Sequence, residues 1–172
     1  ILAEAIGMNV LFYDIAPIMP IGLAKSTSSL KELLVKSDFV TLHVPETADT
    51  TGMISHKEIA LMKRGSFLLN AARGSVVDLQ AVNDALESGH LLGAAIDVFC
   101  EEPQANNTHE FKCVLQNRPN CILTPHIGGS TMEAQRGIAI EVAQKICKYL
   151  QRGCTLTSLN FPEMDLARQT SA

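Results

Sequence analysis

Five short apolar runs punctuate the chain: NVLFYD (9–14), DFVTLHV (38–44), SFLLNA (66–71), LGAAIDVF (92–99) and CILT (121–124). Between them lie polar stretches whose apolar residues recur at helical spacing. Ser29 and Glu32, and again Ser55 and Glu58, have the spacing of a capping box and predict helix starts. Asp78 is placed to cap LQAVNDALES, and Gly7, Gly65 and Gly89 follow helical stretches as stops. After the last run, STMEAQRGIAIEVAQKICKYLQRG reads as one long amphipathic helix. Strand and helix therefore alternate, and the strands are continuous rather than alternating in polarity. That pattern predicts an α/β doubly wound domain, its parallel sheet covered on both faces. The segment from Cys100 to Asn120 shows little periodicity.

Length and composition narrow the possibilities without choosing among them. The 172 residues suffice for one core or one domain with part of another. With 47% hydrophobic and 19% charged residues, and a net charge of −4, the chain has no basic stripe for nucleic acid. No apolar run approaches the ~20 residues of a membrane span, so no membrane partner is expected. There is no signal peptide at Ile1 and no initiator methionine, and the chain starts inside a helical pattern. It is therefore expected to be a fragment lacking its true N-terminus. Cys100, Cys113, Cys121, Cys147 and Cys154 are odd in number and form no C-x-x-C pair. Reduced thiols and a cytoplasmic protein are the expectation.

In an open parallel sheet, ligands bind beyond the carboxyl ends of the strands. Those ends carry Asp14, then His43-Val44-Pro45, then Asn70 with Arg73 close behind, then Asp97 followed by Glu102, and last Pro125-His126. Each has a plain structural reading. Asp14 can start a turn, Arg73 can sit in a salt bridge, and Glu102 can be an ordinary loop carboxylate. Asp97 can brace a loop, His126 can be a satisfied edge histidine, and His43 is more simply structural than catalytic. Their convergence changes the weighing. An imidazole can take a proton from a substrate hydroxyl, and a carboxylate beside it orients the ring. An arginine fork grips a carboxylate through parallel hydrogen bonds. Together they suit oxidation of a 2-hydroxy acid. No His/Cys cluster has metal-ligand spacing, so no metal is expected, and no nucleophile motif competes. G-x-G-x-x-G is absent; its place would be upstream of Ile1.

With FYD (12–14), LHVPET (42–47), LMKRGSFLLNAARGSVVD (61–78), GAAIDVFCEEP (93–103) and TPHIGGST (124–131) in this order, the chain resembles the D-isomer-specific 2-hydroxyacid dehydrogenases. The resemblance implies a Rossmann-like domain that binds NAD, with a small 2-hydroxy or 2-oxo acid as substrate. It implies that Arg73 binds the substrate carboxylate, and that His126 is the acid/base, paired with Glu102. Asp14 would hold the adenosine ribose and Asp97 would lie by the nicotinamide. Backbone at Ala71, Ala72, Arg73, His126, Ile127, Gly128 and Gly129 would line the cofactor, the two glycines allowing close approach. Residues 1–128 would be the NAD-binding domain without its first strand and glycine-rich turn. Residues 129–172, the long helix and tail, would return to the substrate domain. A homo-oligomer is expected of the intact protein, and these 172 residues by themselves are expected to be inactive. The alternatives are a sister enzyme such as a glyoxylate/hydroxypyruvate reductase, and a non-enzymatic NAD-binding module of the corepressor kind.

Overall fold

In the computed structural model, which describes residues 1–103 and 111–164, the chain forms two compact units. The first runs from Ile1 to His126 and the second begins at Ile127. The division falls two residues before the boundary expected at 128.

The first unit begins with helix α1 (Leu2–Ala5), ended by Gly7 in the left-handed region at φ +87°. Strand β1 (Leu11–Phe12) pairs in parallel with β2 (Lys25–Ser26). Then come α2 (Leu30–Lys36), β3 (Phe39–Leu42), α3 (His56–Leu61) and β4 (Ser66–Asn70). A single 3₁₀ turn at Gly74–Val76 leads to α4 (Leu79–Glu87), β5 (Leu91–Ile96) and β6 (Cys121–Leu123). The capping residues act largely as their chemistry requires. Asp78 accepts from the N–H groups of Gln80 and Ala81 at 2.9 and 3.3 Å. Glu58 reaches back to the N–H of Ser55 at 3.1 Å. At α2 only half the box forms. Ser29 accepts from Glu32 N–H at 3.2 Å, but the Glu32 carboxylate turns to Ser28 and Lys36.

Strands β3, β4, β5 and β6 make one parallel sheet in that order. Its register pairs Leu42 with Asn70, Asn70 with Ile96, and Ile96 with Leu123. The expected α/β parallel sheet is present, with two corrections. β1 is not hydrogen-bonded to this sheet; it pairs with β2, whose two exposed residues carry no apolar signature. And among the described residues of the first unit the sheet is not covered on both faces. One face packs Val40, Leu42, Leu68 and Ile96 against Leu34 of α2, Ile59 of α3, and Val82 and Leu86 of α4. The other carries Phe39 stacked on Phe67 at 4.7 Å, with Ile122 exposed. Continuous apolar strands mark burial on both sides, but among the described residues of the unit Phe39 and Ile122 stay exposed on this second face. Near-aperiodic residues 111–120 still supply a core anchor. Leu115 is buried, while Arg118 reaches α4 through Asn83 at 2.9 Å and Glu87 at 3.0 Å.

The second unit is dominated by α5 (Met132–Arg152), capped by Thr131 Oγ1, which accepts from Ala134 N–H at 3.0 Å. Gly153, left-handed at φ +63°, ends it. No α5 residue is buried, and Ile138, Val142, Ile146 and Leu150 are exposed.

In the first unit, one close approach joins the loops that leave β4 and β5. A Cβ on Gly74 would collide with the backbone carbonyl of Phe99 and the backbone nitrogen of Cys100. Neither is a flexible side-chain end, so only glycine lets the loop after β4 lie on the loop after β5. Gly74→Ala is expected to destabilise the intact protein by about 1–3 kcal/mol, the cost of overpacking a fixed site. Urea unfolding would measure it, and unchanged stability would show that the two loops separate freely.

Candidate active site

Parallel pairing sends the carboxyl ends of β3 to β6 to one edge, and the candidate residues follow those ends directly. β5 ends at Ile96, so Asp97 is the first residue beyond it. Its N–H is held by the carbonyl of Asn70 at 2.9 Å, and its carboxylate accepts from Thr124 Oγ1 at 2.5 Å. Thr124 is in turn the first residue past β6. Asp97 is thus braced from both neighbouring strands.

Two residues further along, His126 adopts a left-handed backbone at φ +52°, which a side chain with Cβ rarely takes. Such strain, about 1–3 kcal/mol, persists where the surroundings impose it and concentrates at functional sites. His126 Nδ1 lies 2.7 Å from Glu102 Oε2. Glu102 Oε1 accepts from Phe99 N–H at 2.9 Å, which pins the carboxylate to its own turn. Partial burial pushes the Glu102 carboxyl up, but the hydrogen bonds from His126 and Phe99 outweigh it and hold it below its ordinary value. Glu102 is therefore ionised at neutral pH and can only accept. Its partner Nδ1 must carry the proton, which fixes the tautomer of the ring.

Arg73 stands exposed on the loop after β4, its Nη1 donating to the carbonyl of Ala72 at 2.6 Å. The contact of Gly74 with the Phe99–Cys100 peptide seats this loop on the one that bears Glu102. Asn70, whose role the sequence reading missed, is almost wholly buried and brackets the same loop. Its Oδ1 accepts from Ala72 N–H and its Nδ2 donates to the carbonyl of Arg73, both at 3.0 Å. An asparagine at a strand end that bonds the N–H two residues on is a known turn device, so the signal was there in N-A-A-R.

The remaining expectations divide. Asp14 lies two residues past β1, on the separate β1–β2 pair, where its Oδ1 accepts from Ala16 N–H at 2.8 Å. It borders an open concavity of about 580 Å³ with Ile15, Ile18, Met19 and Ser26. An exposed carboxylate beside apolar side chains fits a ribose with its attached base. Ala71 is exposed and Ala72 buried on the Arg73 loop. Ile127, Gly128 and Gly129 belong to the second unit. The left-handed residue here is His126, not either glycine, and a Cβ on Gly129 would meet nothing within 4 Å. His43 pairs with Thr41 Oγ1 at 3.0 Å, a local structural bond. Burial, reinforced by Glu46, Glu101 and Asp78, raises the Cys100 thiol, which opposes a reactive thiolate. Among the described residues no cluster of His, Cys, Asp or Glu is placed to hold a metal, and no helix is long and apolar enough to cross a membrane.

A parallel α/β sheet with polar and ionisable groups at its carboxyl edge is the kind of fold in which dinucleotides bind. Residues 1–128 match the family model described as "D-isomer specific 2-hydroxyacid dehydrogenase, NAD binding domain". The chain belongs to that family. It is 54% identical over 166 residues to the D-3-phosphoglycerate dehydrogenase of Dictyostelium discoideum and 55% identical over 166 residues to that of Escherichia coli K12. These alignments cover 96% of this chain but 40% of each relative, so the chain spans about two fifths of their length. Among solved structures, D-lactate dehydrogenase from Aquifex aeolicus, complexed with NAD and lactic acid, superposes with a TM-score of 0.70 at 34% identity, covering 87% of this chain and 48% of that one. A glyoxylate reductase from Paecilomyes thermophila gives 0.72 at 34% identity, covering 88% and 45%.

The depressed Glu102 carboxyl has a pH consequence. A group whose folded pKa is lowered stabilises the fold above its ordinary value, here 4.5, and loses that contribution as pH falls through the folded value. In the intact protein, the stability difference between wild type and Glu102→Gln is expected to close in acid, as the Glu102 carboxylate takes up its proton. Unfolding curves across pH would show it. A gap still fully open once carboxylates are protonated would contradict an ionised, hydrogen-bonded Glu102.

Proposed function

We propose that the parent protein oxidises D-3-phosphoglycerate to 3-phosphohydroxypyruvate with NAD, the first step of the phosphorylated route to serine. The observation that carries this is the His126–Glu102 pair at 2.7 Å at the carboxyl edge of a family-typical NAD-binding sheet. The relatives at 54% and 55% identity, both named D-3-phosphoglycerate dehydrogenase, favour this substrate over that of a sister reductase.

In this reading Arg73 grips the substrate carboxylate with its guanidinium fork. With Nδ1 committed to Glu102, His126 uses Nε2 to take the proton of the C2 hydroxyl, and Glu102 stabilises the imidazolium that forms. The nicotinamide of the bound cofactor supplies the acceptor for the hydride that leaves C2. In the reverse direction His126 returns its proton to the carbonyl oxygen. Asp14 accepts from the adenosine ribose, and Asp97 stands by the nicotinamide carboxamide. Ala71, Ala72, Ile127, Gly128 and Gly129 line the cofactor. Residues 1–128 serve as cofactor domain and the helix from 129 as part of the substrate domain. The parent works in the cytoplasm as a homo-oligomer.

Two experiments on the intact enzyme test this. His126→Asn is expected to lower turnover about 10²–10⁴-fold while NAD binding stays near wild type. Reduction of 3-phosphohydroxypyruvate by NADH should exceed that of glyoxylate and 2-oxoglutarate. Retained turnover would remove His126 from its role, and a preference for glyoxylate would move the protein to the sister reductases. Asp14 sets the second expectation. A carboxylate beside the 2′-phosphate of NADP is a like-charge contact costing several kcal/mol, so kcat/KM should favour NAD strongly and Asp14→Ala should narrow the gap. Equal efficiency of wild type with both cofactors would exclude this placement.

A further inference from the structure

We infer that Asn70 is the positioning residue for the Arg73 guanidinium, acting through the peptide units of Ala72 and Arg73. The inference rests on Arg73 being the substrate-carboxylate clamp. Asn70 ends β4, is 1% exposed, and spends both atoms of its side-chain amide on this one loop. Oδ1 takes the N–H of Ala72 and Nδ2 gives to the carbonyl of Arg73, both at 3.0 Å. Those partners leave no ambiguity about the amide: an N–H must meet oxygen and a carbonyl must meet nitrogen. They also explain why asparagine stands here, since an aspartate cannot donate to the Arg73 carbonyl.

The group caught between the two bonds is the carbonyl of Ala72, and it is this carbonyl that Arg73 Nη1 holds at 2.6 Å. Fixing the peptides on either side fixes the point on which the guanidinium leans. The main chain of Asn70 adds the other link, its carbonyl accepting from Asp97 N–H at 2.9 Å. One buried residue thus ties the arginine loop to the residue proposed to stand by the nicotinamide. An exposed arginine has many rotamers; a clamp that meets a carboxylate in line with the cofactor requires few, and misplacement by about 1 Å can cost ~10²-fold.

The test uses the intact enzyme and a double-mutant cycle with Arg73→Ala. Asn70→Asp keeps the volume and the acceptor for Ala72 but loses the donor to Arg73; Asn70→Ala loses both. Each is expected to raise KM for the 2-oxo acid about 10- to 100-fold. In the Arg73→Ala background the same changes should add less than about twofold, because the group they position is gone. Equal losses in both backgrounds would reduce Asn70 to general stability and overturn the inference. Wild-type KM in the Asn70 variants beside a damaged Arg73→Ala overturns the positioning role alone. Wild-type KM in Arg73→Ala overturns the clamp reading with it. If the variants do not fold, hydrogen exchange of wild type decides: slow exchange at the Ala72 amide is expected, and exchange at the rate of an open loop overturns the bracket.

Discussion

Parallel pairing across β3, β4, β5 and β6 is the constraint on which the site depends. Parallel strands all end on the same side, so every polar residue that terminates one of them is delivered to the same edge. The register makes the delivery specific: Leu42, Asn70, Ile96 and Leu123 stand in one row across the sheet. His43, Asp97 and Thr124 follow three of these residues immediately, and the Arg73 loop follows the fourth. Because one face is packed against α2, α3 and α4, a slip of any strand would move buried side chains to the open face. Core packing therefore holds the register, and the register holds the edge.

Precision at that edge comes from backbone contacts rather than from bulk. Gly74 permits two loops to touch, Asn70 stitches one of them to itself, and Thr124 braces Asp97 from the next strand. The electrostatics then settle the acid/base pair. Glu102 is anchored by a backbone N–H on one oxygen and by the imidazole on the other, so its charge and the ring tautomer support each other. The left-handed backbone of His126 is the cost of bringing a side chain that follows β6 onto a carboxylate that follows β5.

Much of this was legible in the order of residues. Apolar runs of five strands, the Asp78 cap and the long helix after Thr131 are local signals, set by periodicity and by side chains that bond their own backbone. The grouping of Arg73, Asp97, Glu102 and His126 was legible too, because strand direction alone sends them to one edge. The pair β1–β2 was not: Lys25 and Ser26 are exposed and polar, and only the partner strand makes them a ladder. Nor was the burial of Leu115, a single apolar residue in a stretch without periodicity.

By itself, then, the sequence determined the class of fold, the direction of its strands and the chemical types at their ends. Those depend on patterns within a few residues and on the handedness of the chain. Tertiary structure decided how the ends are used. It set which face of the sheet is covered, placed His126 Nδ1 rather than Nε2 on Glu102, and made Gly74 a point of loop contact instead of a flexible turn. It also turned Asn70 from a strand-end residue into a bracket. Each of these depends on distances between segments far apart in the chain, and no local propensity encodes a distance.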